Sequence, residues 1–527
     1  MQNSCAGKSR RRRQRTENNV QQTVRQVVIV GGGTAGWMTA ASFAKLGKGA
    51  RISVELIESE QIGTVGVGEA TIPPIFEFNR SLQIDENEFI RATQASFKLG
   101  IEYVDWYAKG QSYIHPFGHY GVQMHGIYFH HFWLRHRLQG GTMDPGAFNM
   151  HINACRENRF GWPKPDDKLP LPPMAYAYHF DAGLYAAFLR RMSEGLGVKR
   201  TEGKVVSVQQ NGESGYIESV TLEDGRVVAG DLFIDCSGFR GLLIEQTLQA
   251  GYEDWSHWLP CDRALAVPCE RVAATTPYTR STSREAGWQW RIPLQHRTGN
   301  GYVYCSQFIS DDEAAGKLLQ RLDGKPQDSP RPLRFVAGRR KKVWIKNCVA
   351  VGLASGFLEP LESTSIHLIQ SMVARLLFML PGAGFSQATI DKFNALARYE
   401  LEEIRDLLLL HYTATVRDDT PFWRHCRAIE KPDSLKQRWE MYEHSGNIIV
   451  AAADLFKEAS WFAVYTGQGV QPRAYHPFAD IPSDEELMRR FNLMAGDVQK
   501  RVQSFPSHDE YIRMHCAAPP MPMKKTM

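Results

Sequence analysis

Val27-Val28-Ile29-Val30-Gly31-Gly32-Gly33-Thr34-Ala35-Gly36 is the stretch that decides the fold. Four β-branched residues in succession read as a short buried parallel strand. The strand runs into a turn that fits GxGxxG at Gly31, Gly33 and Gly36, and Trp37-Met38-Thr39-Ala40-Ala41 then opens a helix. Glycines in such a turn let backbone N–H groups approach a pyrophosphate at the positive end of the helix. Thr34 and Ala35 therefore count as cofactor contacts beside the glycines. A second strand, Ile52-Ser53-Val54-Glu55-Leu56-Ile57, ends at Glu58. That is close to the ~20-residue offset at which an acid meets a ribose. Strand, turn, helix and acid together predict dinucleotide binding.

The rest of the chain favours FAD over NAD. Gly66-Val67-Gly68-Glu69-Ala70-Thr71-Ile72-Pro73 follows soon after, and Gly68, Glu69 and Ala70 are further expected contacts. Asp231-Leu232-Phe233-Ile234-Asp235-Cys236-Ser237-Gly238 is an apolar strand ending in a turn of small residues. Cys348-Val349-Ala350-Val351-Gly352-Leu353 is a third such element and adds Leu353 to the expected contacts. One nucleotide fold thus recurs in pieces with other material inserted. No second GxGxxG is present, so NAD(P)H has no evident site and reduced flavin must come from a separate reductase.

Bulk properties narrow the class. The 527 residues suffice for a large core and two lobes. With 62 basic and 57 acidic residues, nothing global calls for a nucleic-acid or membrane partner. The run Arg10-Arg11-Arg12-Arg13 has no interleaved aromatics and no following apolar segment, so it reads as a disordered tail rather than a nucleic-acid arm or signal peptide. Nine cysteines without CxxC spacing read as reduced thiols in a cytoplasmic protein. The histidines at 119, 125, 130, 131 and 136 lack ligand spacing and acidic partners, so no metal site is expected.

Gly287-Trp288-Gln289-Trp290-Arg291-Ile292-Pro293 bears on the reaction. Alternation puts Trp288, Trp290 and Ile292 on one face of a strand, as an aromatic core strand would. The same residues form the WxWxIP pattern, and a wall of indoles between flavin and substrate would admit only something as small as a halide. Phe357-Leu358-Glu359-Pro360-Leu361-Glu362-Ser363-Thr364 and Arg417-Asp418-Asp419-Thr420-Pro421-Phe422-Trp423 stand further along. Taken with GGGTAGW at 31–37 and GVGEATIP at 66–73, these segments resemble the flavin-dependent halogenases of the tryptophan-halogenase type, over about Val27 to Gly467.

The resemblance implies a fold and a chemistry. The fold is α/β: a doubly wound FAD-binding lobe of discontinuous segments and a mostly helical substrate lobe. The implied activity is FADH2-dependent halogenation of an electron-rich aromatic, through hypohalous acid passed to a lysine. The family's lysine falls on Lys98, in Ser96-Phe97-Lys98, and its carboxylate on Glu362; alone, Lys98 would read as a solvated helix lysine. Chloride or bromide is expected at Thr364 and Ser365, whose N–H groups precede a helix with apolar residues at 366, 369, 372, 373 and 376. An ordinary Ser/Thr cap fits the same residues. Ser365 stands where the family usually has Gly.

Tyr113-Ile114-His115-Pro116-Phe117 resembles the segment that packs on the substrate ring, which makes His115 and Phe117 substrate residues, with Phe456 and Trp461 as a second aromatic wall. The family's tyrosine pair and glutamate, which hold an amino acid's charged groups, have no counterpart at His444-Ser445 or Ala451. Indole or an indole derivative is therefore expected rather than free tryptophan. An aromatic monooxygenase and a non-halogenating flavin-binding protein are the alternatives. The expected layout is a disordered basic tail over 1–24 and FAD-lobe segments at 25–110, 191–250 and 331–380, the last with the halide helix. Residues 111–190 form a substrate-lobe insertion, 251–330 the Trp-box sheet and 381–527 the helical substrate lobe.

Overall fold

The computed structural model describes residues 23–61, 68–162, 174–382 and 384–521. The tail expected over 1–24 lies almost wholly outside them, as do Gly66 and Val67.

Val27, Val28 and Ile29 have no exposed surface. Their strand, Gln26–Val30, lies inside a six-stranded sheet in the order Trp344–Ile345, Cys348–Ala350, Leu232–Asp235, Gln26–Val30, Ser53–Glu58, Lys199–Glu202. All pairings are parallel except that of the edge strand Trp344–Ile345. Val27 stands opposite both Leu232 and Val54. Both sheet faces are covered, which is why the run is continuously apolar. Val27 and Ile29 pack with Trp37, Met38 and Phe43 of the helix Thr34–Gly47, and with Tyr185, Ile366 and Ile369 of two further helices. Val28 and Val30 pack on the opposite face against Ile217, Val220 and Val228 of a small antiparallel sheet.

A second sheet has seven strands, in the order Arg331–Arg334, Arg263–Cys269, Thr298–Tyr304, Gly287–Pro293, Tyr278–Arg284, Gly100–Val104, Ser112–Pro116. The Trp box is its central strand. Trp290 lies opposite Gly301, where a Cβ would come within 2.0 Å of the indole ring, so the glycine leaves the space that the Trp fills. A three-stranded sheet, Gly68–Ala70, Ala177–Asp181 and Ser96–Lys98, links the two larger ones. Ala70 and Ser96 both face His179, which brings the flavin-side Glu69 and the chemistry-side Lys98 onto one small sheet.

The C-terminal third is helical. The 27-residue helix Gln387–Thr413 turns Phe393, Ile404, Leu407 and Leu408 into the core, as a 3.6-residue stripe requires. Shorter helices, including Pro421–Ala428, Asp433–Ser445 and Glu458–Gly467, pack beside it. Among the described residues no helix is long and apolar enough to cross a membrane.

Candidate active site

A cavity of about 870 Å³ runs along the C-terminal ends of the parallel strands, the place where open α/β sheets bind ligands. Gly31, Gly33, Thr34, Ala35, Glu58, Gly68, Glu69, Ala70 and Leu353 all line it. Gly31 has φ +116°, and a Cβ there would sit 2.2 Å from the Cys236 carbonyl oxygen. A Cβ at Gly36 would lie 1.8 Å from the Gly31 oxygen, so Gly36 serves the turn without lining the cavity. Gly33 differs: a Cβ there would meet nothing within 4 Å. It caps the helix Thr34–Gly47 without a side-chain hydrogen bond, so the first N–H groups face open space suited to a pyrophosphate. Glu58 is oriented at the rim by Arg200 (2.5 Å), and its other oxygen accepts from the Trp37 indole N–H at 3.3 Å. Burial raises the Glu69 carboxyl to about 7. These residues fit a flavin dinucleotide.

Lys98 is fully buried on a strand rather than solvated on a helix. Its Nζ donates to the Thr71 carbonyl at 2.9 Å and to Ser363 Oγ at 2.8 Å, and lies 5.1 Å from the centre of the Phe117 ring. Burial lowers its pKa to about 7, although the nearby Glu362 carboxylate pulls it back up. Ser363 also lines the cavity. It holds its unusual φ of +60° after the one-turn helix Pro360–Glu362, and that turn aims its hydroxyl at Lys98. In the sequence Ser363 stands out only as part of the segment 357–364.

Glu362 is buried between two histidines. His115 Nδ1 is 2.8 Å from Oε2 and 3.0 Å from Oε1, and His411 Nε2 is 3.1 Å from Oε1. Burial pushes this carboxyl up, yet the two histidines overcome it and hold it well below the usual carboxylate range. His115 thus grips Glu362 while its ring stands 6.1 Å from Phe456. Trp461 packs instead on Arg438, at 4.8 Å, and on Tyr465. Phe456 rather than Trp461 is therefore the aromatic set against His115. His411 escaped sequence reading because it continues the run Leu407-Leu408-Leu409-Leu410; the one clue is a polar residue on a buried stripe. Its Nδ1 donates to the Leu407 carbonyl at 2.8 Å, and Nε2 faces Glu362 without the geometry of a hydrogen bond, so this contact attracts only when the ring carries both protons.

Thr364 and Ser365 stand at the start of the helix Ser365–Phe378, and Ser365 lines the cavity. The simple capping alternative is not used: Thr364 makes no side-chain cap bond, and its buried Oγ1 has no partner. Trp288 and Trp290 are buried and line the cavity, with ring centres 6.1 Å apart. Of the expected histidine cluster, His130 Nδ1 meets Glu458 and its Nε2 meets the Gly446 carbonyl, and His131 accepts from the His476 N–H.

The tryptophan halogenase family profile matches residues 26–484. This chain belongs to the tryptophan halogenase family. Tryptophan 6-halogenase ThaL of Streptomyces albogriseolus is 33% identical, over 92% of this chain and 97% of its own. Among solved structures, Xcc4156, a flavin-dependent halogenase from Xanthomonas campestris, superposes with a TM-score of 0.92 at 49% identity, covering 95% of this chain and 100% of its own. BrvH, a flavin-dependent halogenase from Brevundimonas sp. BAL3, gives 0.90 at 42%, covering 94% and 99%. The α/β fold expected from the sequence is the fold of these enzymes. The chain is a flavin-dependent halogenase.

Proposed function

We propose that this halogenase binds FAD, receives it reduced from a separate flavin reductase, and transfers chlorine or bromine to indole or an indole derivative. One observation carries the reading: Ser363 joins the cavity wall to the Nζ of Lys98, so the flavin site and the buried amine meet at a single side chain. Bound reduced flavin, with oxygen and halide, supplies an oxidising equivalent that leaves as hypohalous acid. Thr364 and Ser365 hold the halide at the helix start, where N–H groups favour an anion. Trp288 and Trp290 wall the cavity from the aromatic substrate. The neutral Lys98 amine attacks the halogen of hypohalous acid, the O–halogen bond breaks and water leaves with an amine proton, and the halogen stands beside Phe117, His115 and Phe456 for transfer to the ring. As the N–halogen bond breaks and the ring takes the halogen, Glu362, set beside His115 and His411, receives the proton that the ring loses and the Lys98 nitrogen regains one, which restores the amine. The eight described cysteines are all free, which suits a reducing cytoplasm.

A pH prediction follows from Lys98. A lysine whose pKa is lowered to about 7 is increasingly neutral as pH rises through that value, and only the neutral amine has a lone pair for halogen. Halogenated product per hypohalous acid formed is expected to rise through about pH 7. Single-turnover assays across pH 6 to 8.5, with an external scavenger reporting escaped hypohalous acid, measure it. A falling ratio would assign Lys98 to the ammonium form.

Substrate choice rests on what surrounds Phe456. His444 and Ala451 are exposed and clamp nothing. Asp454 is already paired with Arg438 at 2.9 Å and with Tyr399, and Glu458 is paired with His130. Glu403 is buried and burial raises its carboxyl to about 8, so holding an ammonium there would first require ionising it. An ammonium and a carboxylate buried without partners would cost several kcal/mol. Indole is expected to be turned over at least ~10-fold more efficiently than free tryptophan, a gap of only ~1.4 kcal/mol. Competition at equal concentration, read by mass spectrometry in chloride and then bromide, tests both the substrate and the halide dependence. Predominant halotryptophan would defeat the substrate assignment.

A further inference from the structure

Glu359 and Glu362 stand three residues apart in one loop, yet only Glu362 reaches the Lys98 chemistry described above. Glu359 is 1% exposed. One of its oxygens, Oε2, accepts from the Trp288 indole N–H at 2.7 Å and from the Tyr412 hydroxyl at 2.8 Å. Its other oxygen, Oε1, is buried without a partner. A carboxyl kept in so apolar a place makes sense only if its two donors need it, because each would otherwise be a buried polar group unpaired. Tyr412 is itself immobilised: its ring stacks on Trp423 and meets Trp106 edge-on, and its hydroxyl lies 3.7 Å from Cys261 Sγ. Trp288 lines the flavin cavity. Its ring centre is 6.5 Å from that of Trp106. Consecutive residues of one helix therefore hold both acids of the loop, His411 against Glu362 and Tyr412 against Glu359.

We propose that Glu359 is a positioning residue: it anchors the Trp288 indole to Tyr412 and so fixes the wall between the flavin cavity and the Lys98 chamber. The inference rests on the proposed barrier role of the Trp box. Through the helix that carries His411 and Tyr412, the wall and Glu362 share one rigid support, so the barrier keeps its place relative to the acid that completes the reaction.

The test uses the full chain with FAD, a flavin reductase, indole and bromide. It measures brominated product per oxygen consumed, oxygen-inserted product by mass, and FAD affinity. Glu359→Leu removes the acceptor and is expected to lower coupling at least ~3-fold with FAD affinity unchanged. Glu359→Gln keeps an acceptor oxygen and is expected to restore most of the coupling. Tyr412→Phe, which deletes one anchor at nearly constant volume, should fall between, and it stands in if Glu359→Leu does not fold. Trp288→Phe keeps the bulk without the N–H. If the anchor works through that N–H, adding Glu359→Leu to Trp288→Phe changes coupling little further. Wild-type coupling in both Glu359→Leu and Tyr412→Phe, or a full independent loss on top of Trp288→Phe, would overturn the proposal. Trp288→Ala separates the two readings: if it leaks and the Glu359 variants do not, the wall stands and the anchor fails. If Trp288→Ala is itself fully coupled, the wall fails.

Discussion

Lys98→Ala is expected to abolish halogenation, by at least ~10³-fold or about 4 kcal/mol of barrier, while FAD binding and hypohalous acid release persist. In the proposed reaction Lys98 acts after the flavin step. It is not among the residues lining the flavin cavity, and its amine is turned toward Ser363, Thr71 and the Phe117 ring. Truncation of a buried chain to Ala ordinarily costs about 2–5 kcal/mol through the cavity it leaves. Here part of that cost is offset, because burial already disfavours the charged amine. Lys98→Met therefore belongs beside it, since it keeps the volume and removes only the nitrogen. Both variants should show wild-type oxidation of an external scavenger and no halogenated indole. Near wild-type halogenation by either one would remove Lys98 from the mechanism.

The sequence made most of this site legible where a residue's role follows from local chain geometry. Gly31, Gly33 and Gly36 could be read because strand, turn and helix are contiguous, and the structure gives Gly31 and Gly36 a steric reason and Gly33 open space. Trp288 and Trp290 could be read because alternation sets both on one face. Lys98 was different: alone it reads as a solvated helix lysine, the structure buries it on a strand, and only the resemblance singled it out. Other groups that contact Lys98, Glu359 and Glu362 were not legible. His411, Tyr412 and Ser363 gain their roles from contacts with residues 49, 53 and 265 positions away in the chain. No periodicity encodes such distances, and an apolar helix stripe hides a histidine and a tyrosine that face a neighbouring loop. The packing of Trp461 was hidden for the same reason. Aromatic character predicts burial, but the partner it meets, Arg438, lies on another helix.

Glu362→Gln is expected to lower halogenation about 10²-fold, at the low end of the ~10²–10⁴ that general acid–base groups contribute. The amide keeps the size of the side chain and one acceptor for His115, but it cannot take a proton. Orientation is thus largely preserved and proton removal is not. The decisive measurement is an isotope effect at the reacting ring carbon. Deuterium there should slow the variant more than the wild-type enzyme, because proton loss becomes the slow step. A loss below ~3-fold with no new isotope effect would leave Glu362 a structural acid. Stability supplies an independent check. The Glu362 carboxyl is held below its ordinary value, with burial opposing and His115 and His411 prevailing. A group whose folded pKa is depressed stabilises the protein above its unfolded value of ~4.3 and loses that contribution as pH falls toward the folded value. Wild type should therefore unfold at a higher temperature than Glu362→Gln at pH 7, and the gap should narrow below about pH 4. A gap that stays constant with acidification would mean that the two histidines do not hold Glu362 as an anion, and that the proton acceptor of the reaction must be sought elsewhere.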